Sequence, residues 1–314
     1  MAGRSGGHLD LPRAREGGLV AGFFAVFVLP ESPEELAATK IPDRTPPYAQ
    51  PLAGAVAQPY AAAVARTMIE LLEEIERSAD GALTIARAAV DVEAAVAGGA
   101  FAAILHFEGA DPIDEALEEL QSLYDRGLRS LGLVWSRPNA FAEGVAFRFP
   151  SGADTGPGLT PAGRRLVVEC NRLGILLDLA HLNERGFWDV AGLSEAPLVA
   201  THSNVHALSA SSRNLTDAQL DEIGRSGGLV GITFHAGMLS AEGGVDARVP
   251  IARVIDHVGF GSDFDGAKVP DELGDVSGLP LVPEALRERG FRGDEIAKLA
   301  HGNWLRVLRA TWRS

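Results

Sequence analysis

A histidine and an aspartate stand two residues apart near the start of the chain, as His8-Leu9-Asp10. On an extended strand side chains alternate faces, so His8 and Asp10 would point one way and Leu9 the other. An imidazole and a carboxylate so placed can grip one cation together. H-x-D is a common triplet and most copies are solvated, so the reading needs partners elsewhere. The chain supplies them at matching places. Glu108 follows the apolar run 101–107, His181 the run 175–180, His202 the run 197–200 and Asp263 the run 258–261. Each has a bland alternative: His181 as a hydrogen-bonded core histidine, Asp263 as a turn cap, Glu108 as the partner of an arginine. Their joint placement favours chemistry, because a core has no reason to gather imidazoles and carboxylates at the ends of apolar runs.

Imidazole and carboxylate ligands suit Zn²⁺, with Fe²⁺, Mn²⁺ and Co²⁺ as weaker fits. Even five of these six groups are too many for one tetrahedral zinc with an open position. They suit two ions that share one carboxylate and one hydroxide. Ser203, His106, His206, His235 and His257 are left over. His106 stands either behind the ligands or in the core. Cys170 falls in a helical pattern as a core thiol, and no Ser or Cys triad competes.

Groups so scattered need a scaffold that brings strand ends to one rim. Strands are expected over 7–11, 18–29, 101–107, 130–135, 175–180, 197–200, 229–234 and 258–261, with a strand-helix passage over 83–98. Helices are expected over 60–78, where Val64, Met68, Leu71, Leu72 and Ile75 recur at helical spacing, and over 112–126 and 294–308. Thr160 followed by Pro161 reads as an N-cap and first helical residue, with Gly174 as the stop. Thr216-Asp-Ala-Gln219 reads as a capping box. The Pro- and charge-rich stretch 30–51 reads as a long loop. Short apolar strands alternating with helices imply parallel pairing with both faces covered. About eight such units point to a (β/α)8 TIM barrel, a single domain over residues 1–314, with its chemistry at the strand C-termini. The competing open doubly wound sheet would carry a Gly-rich phosphate turn after its first strand. None follows His8-Leu9-Asp10, and no G-x-x-x-x-G-K-[ST] occurs.

Lys plus Arg is 28 against 42 Asp plus Glu, a net charge of −14. That balance argues against nucleic acid and anionic membrane surfaces as partners. One cysteine excludes an internal disulfide framework and fits a reducing, cytoplasmic setting. The apolar run 18–29 has the length of a signal h-region, but acidic residues interrupt its basic lead and no small-residue cleavage site follows. A buried strand is the better reading. No membrane anchor is expected; the oligomeric state is left open, with a homodimer among the options because enzymes of this size are often symmetric dimers.

The segments Gly-His-Leu-Asp-Leu-Pro (7–12), His-Phe-Glu-Gly (106–109), Gly-Leu-Thr-Pro-Ala-Gly-Arg (158–164), Leu-Asp-Leu-Ala-His-Leu (177–182), Ala-Thr-His-Ser-Asn (200–204), Ser-Arg-Asn-Leu (212–215) and Val-Gly-Phe-Gly-Ser-Asp-Phe-Asp-Gly (258–266) resemble the membrane (renal) dipeptidase family, peptidase family M19. They occur in the family's order across nearly the whole chain. The resemblance implies a barrel hydrolase with a binuclear zinc centre, in which Mn²⁺ or Co²⁺ can substitute. His8 and Asp10 would hold the first ion, His181 and His202 the second, and Glu108 would bridge them. Asp263 would be the acid/base residue beside the bridging hydroxide that attacks a dipeptide, including one with a D-residue at its C-terminal side. Arg213 would receive the substrate carboxylate, with Asn204 and Trp135 also facing the substrate. Two departures stand out. Trp135 occupies the place where the family often carries a histidine, although a bacterial subgroup carries Trp there. Residues 1–5 leave little strand ahead of His8, so the first half-site is expected to be loosely held. These departures keep two alternatives open: action on another small amide, such as a lactam or an N-acyl amino acid, or a catalytically inactive ligand-binding relative.

Overall fold

The computed structural model describes residues 6–34, 45–243 and 258–313. Its centre is strand β4 (Phe101–Glu108), apolar except for His106 and Glu108 and buried along nearly all its length. A strand covered on both faces reads this way, and it pairs in parallel. On one edge β1 (Ala21–Val26) runs beside it in unbroken register, from Ala21 opposite Ala102 to Val26 opposite Phe107. The other edge is divided. The short β3 (Leu83–Ile85) takes Phe101 to Ala103, and β5 (Leu128–Gly132) takes over from Leu105 to Glu108. The sheet then continues in parallel through β7 (Leu176–Asp178), β8 (Val199–Ser203), β9 (Leu229–Ile232) and β10 (Val258–Phe260), eight strands in all. A separate two-stranded ribbon, β2 (Tyr48–Ala49) with β6 (Arg148–Phe149), lies off this sheet. Between β1 and β10 no ladder is present among the described residues. This is the curled parallel sheet of the (β/α)8 barrel class that the strand count implied.

Strand alternation sorts the core into two layers. Ala103, Leu105 and Phe107 pack with Ala65, Ile69 and Leu72 of helix α2 (Gln58–Ser78) and with Leu166 and Val167. Ala102 and Ile104 face the other way, with Leu176, Val199, Leu229 and the Leu305, Leu308 and Trp312 side chains at the C-terminus. By the same alternation His106 and Glu108 share the face of Ala102 and Ile104. That face is apolar at its N-terminal end and polar at its C-terminal end.

Local signals held where a cap defined them. Thr160 Oγ1 accepts from Gly163 N at 3.0 Å, and the helix Pro161–Leu173 stops at Gly174, whose φ is +75°. Thr216 and Gln219 form the reciprocal box that opens helix Asp217–Arg225. Two expectations need correction. Residues 7–11 are not a strand: a bend leads into helix α1 (Leu11–Glu16), with Asp10 as its N-cap and Pro12 in its first turn. Asp before Leu-Pro is a helix-start signature in its own right, and it outweighs the two-residue alternation. Residues 112–126 are helical only over Leu120–Asp125, because Leu117 sits at φ +62°, which breaks a right-handed helix. Part of the expected 30–51 loop, and His257, lie outside the described residues.

Candidate metal centre and active site

Three ligand-bearing side chains converge at the C-terminal ends of the strands. Glu108 closes β4, His202 lies inside β8, and His181 follows β7 in the left-handed region, at φ +65°. Such backbone in a non-glycine residue is uncommon and clusters at functional positions. Glu108 Oε1 stands 3.2 Å from His181 Nε2 and 3.7 Å from His202 Nε2. One ligand atom from each of the three lies within 4.8 Å of the other two, and among the described residues no other such group of three occurs.

Each imidazole is held from behind. His181 Nδ1 is 2.8 Å from Ser136 Oγ, and His202 Nδ1 is 2.8 Å from Thr201 Oγ1. His202 Nε2 is shielded from solvent and has no hydrogen-bond partner. A bare nitrogen lone pair facing a carboxylate oxygen is unfavourable unless something positive lies between them. The donor set of two imidazoles and one carboxylate is the set that suits zinc and its neighbours, so the residues fit a cation.

Electrostatics reinforce this. Burial, with the negative charges of Asp263 and Asp178, pushes the Glu108 carboxyl up to about 8, against the opposing pull of Arg213 and Arg137. Burial pushes Asp263 up to about 7, again opposed by Arg213. Burial lowers His202 to about 3, and holds His181 well below the usual imidazole range. The imidazoles are therefore neutral, as ligation requires, and the carboxyls await a cation that would favour their ionised forms.

The other expected site residues fall around this trio. Asp263 follows β10 with φ +60°, and a Cβ on Gly266 would come within 2.3 Å of its Oδ1, so a side chain there would push the carboxylate aside. Arg213 is 4% exposed; its Nη2 lies 3.4 Å from His202 O, and its Nε is buried with no partner. Ser203 Oγ donates to Arg213 O at 2.9 Å, which gives that leftover serine a positioning task. The Trp135 ring lies 5.7 Å from the His181 ring, within an aromatic group that includes Phe27 and Phe147. Asn204 is buried; its Nδ2 donates to Thr233 O at 3.2 Å while its Oδ1 has no partner.

His8 and Asp10 stand outside the trio. Asp10 Oδ1 caps α1, and its Oδ2 lies 2.9 Å from Arg13 Nε. His8 Nδ1 accepts from Asp265 N at 2.9 Å. His106 is buried behind the trio, its Nδ1 2.9 Å from Ser130 Oγ and its Nε2 3.6 Å from Asp178 Oδ2. Asp178, Thr201 and Ser136 were not singled out from sequence. Asp178 and Thr201 lie inside the two quoted segments that carry His181 and His202, and a polar residue closing a buried strand was the available signal.

The family model of membrane dipeptidases, peptidase family M19, matches residues 1–313. The chain belongs to peptidase family M19. As an M19 protein it is a metallo-dipeptidase, and a metal cofactor follows from that class. Solved M19 relatives agree in fold across the molecule. A Rhodobacter sphaeroides metallo peptidase bound to a phosphinate mimic of the dipeptide L-Ala-D-Ala is 46% identical, with a TM-score of 0.94 over 99% of this chain and 92% of that chain. The metallo peptidase named dipeptidase AC is 47% identical, with a TM-score of 0.93 over 100% of this chain and 92% of that chain. A Klebsiella pneumoniae protein of the pqqA 5′ region is 42% identical over 257 residues, 78% of this chain and 95% of that protein. Among the described residues of this M19 chain, no helix is long and apolar enough to cross a membrane.

Proposed function

We propose that this M19 chain hydrolyses dipeptides with a free C-terminal carboxylate, including those with a D-residue at that end, using zinc held by its strand-end ligands. One observation carries the reading: Glu108, His181 and His202 meet within 4.8 Å beside a buried arginine and a half-buried acid. The L-Ala-D-Ala mimic bound to the Rhodobacter relative supports the substrate class.

Glu108, His181 and His202 would hold one ion, and His8 and Asp10, with Glu108 shared, a second. When bound, such ions polarise the amide carbonyl and acidify a water enough to serve as nucleophile near neutral pH. While His8 Nδ1 accepts from Asp265 N, the proton of the neutral ring sits on Nε2, so recruiting His8 through Nε2 requires that bond to break and this half-site to rearrange. Arg213 would bind the substrate carboxylate: its guanidinium is planar, permanently charged and already desolvated, so little hydration is lost on contact. Asp263 would accept the proton of the attacking water and return it to the leaving amine, a role suited to a carboxyl raised toward neutrality. Trp135 would close the site against water on the His181 side, and Asn204, with a free carbonyl oxygen, would hydrogen-bond the substrate backbone.

The test combines a panel of L,L- and L,D-dipeptides with metal analysis. Expected are zinc bound at up to two per chain, turnover that chelation abolishes, and recovery on adding zinc back. Unchanged turnover in protein shown to be free of metal would refute the proposal.

A further inference from the structure

Behind His202 lies a chain of hydrogen bonds whose direction can be worked out. Asp178 is 2% exposed. Its Oδ1 accepts two backbone N–H groups, from Thr201 at 2.7 Å and from Ala180 at 3.0 Å. Its Oδ2 accepts the Thr201 hydroxyl at 2.6 Å. A hydroxyl has one proton to give. With that proton committed to Asp178, Thr201 Oγ1 can only accept from its other neighbour, His202 Nδ1, at 2.8 Å. A histidine that binds a cation is neutral and carries one N–H. Placing that proton on Nδ1 leaves the lone pair on Nε2, the buried nitrogen that faces Glu108.

We infer that Asp178 and Thr201 are positioning residues that set the tautomer of His202, so that Nε2 is presented as a ligand before any cation arrives. The inference rests on the reading of His202 as a metal ligand. It adds two residues that never touch the ion or the substrate. A carboxylate one hydroxyl removed from the imidazole does the work that a direct carboxylate partner does in many metal sites.

The geometry makes the effect of Asp178→Asn specific. Two backbone N–H donors hold the Oδ1 position, so the carbonyl of the new amide must stay there. The amide nitrogen then takes the Oδ2 position and donates to Thr201 Oγ1. The threonine hydroxyl is released to donate toward His202 Nδ1, which must become the acceptor. The proton moves to Nε2, and the ligand nitrogen is blocked. Thr201→Val instead removes the relay without imposing the opposite tautomer.

The experiment is ¹⁵N NMR of histidine-labelled, metal-free protein, read beside zinc affinity measured by chelator competition. Metal-free wild type is expected to show His202 protonated on Nδ1, and D178N on Nε2. T201V should lose the pure Nδ1–H signature, and Thr201→Ser should retain it. Zinc affinity should fall by about 100-fold in D178N and about tenfold in T201V. If D178N fails to fold, loss of the Nδ1–H signature in T201V decides alone. A D178N or T201V protein that keeps the wild-type tautomer and zinc affinity overturns the inference. His202→Ala separates the two readings. Zinc binding unchanged by H202A defeats the ligand assignment itself. Zinc lost in H202A, with the tautomer unmoved in D178N, defeats only the relay.

Discussion

Replacing Glu108 with glutamine should change stability in opposite directions with and without metal. In the metal-free protein burial raises the Glu108 carboxyl from 4.5 to about 8. Between those values the folded chain holds a proton that the unfolded chain has released. Stability therefore falls as pH rises through this window, and the loss is complete above the folded value. A shift of about 3.5 pH units at about 1.4 kcal/mol per unit gives roughly 5 kcal/mol. This is an upper value, because solvent reaches 18% of the side chain. Glutamine has the same shape and no proton to lose, so metal-free E108Q should be the more stable protein at pH 9 by several kcal/mol relative to the difference at pH 4. Asp263 titrates in both proteins and largely cancels. Near pH 7, where the proton released by the unfolded chain costs at most about 3.5 kcal/mol, zinc reverses the order. At about a thousand times its dissociation constant it adds about 4 kcal/mol to wild type, and glutamine forfeits most of that gain. The assay is urea unfolding followed by circular dichroism from pH 4 to 9, in chelator and in zinc. Wild-type and E108Q curves that run parallel across this range in chelator would refute the claim that burial has raised Glu108.

Three further outcomes follow from the same geometry. Arg213→Met should lower kcat/KM about 10- to 100-fold for dipeptides, the loss of a charge-assisted contact, and have little effect on C-terminal amides; equal losses on both would remove Arg213 from carboxylate recognition. Asp263→Asn should cut kcat by about 100-fold or more with bound metal unchanged. In wild type the acidic limb of the kcat/KM profile should fall below pH 7, since a neighbouring cation pulls the carboxyl down from its metal-free value of about 7, and a limb above pH 7 would assign it to another group. Thr160→Ala removes the hydroxyl that accepts from Gly163 N and should cost about 1 kcal/mol in thermal or urea unfolding without altering turnover.

The types of the reacting groups were legible in the chain. Glu108, His181, His202 and Asp263 each follow or close a short apolar run, and a barrel turns the ends of such runs to one rim. Caps were equally legible at Thr160 and Thr216, because a cap depends on four consecutive residues and nothing distant. The same locality misled at residues 7–11, where two-residue alternation suggested a strand and Asp10 with Pro12 started a helix instead. Convergence was a different matter. Glu108, His181 and His202 meet because β4, β7 and β8 end at one level of a curled sheet, and that level is set by registers such as Asp178 opposite Val199, which depend on packing along the whole sheet. The displaced acidities of Glu108 and Asp263 come from burial, a property of the assembled core. The hydrogen-bond chain from Asp178 through Thr201 to His202 joins two strands 23 positions apart, and only their pairing brings its atoms within reach. Sequence specified which side chains could ligate and move protons, since that is intrinsic to each residue; tertiary structure decided which of them face one another and in which protonation state, since both depend on neighbours that the fold alone supplies.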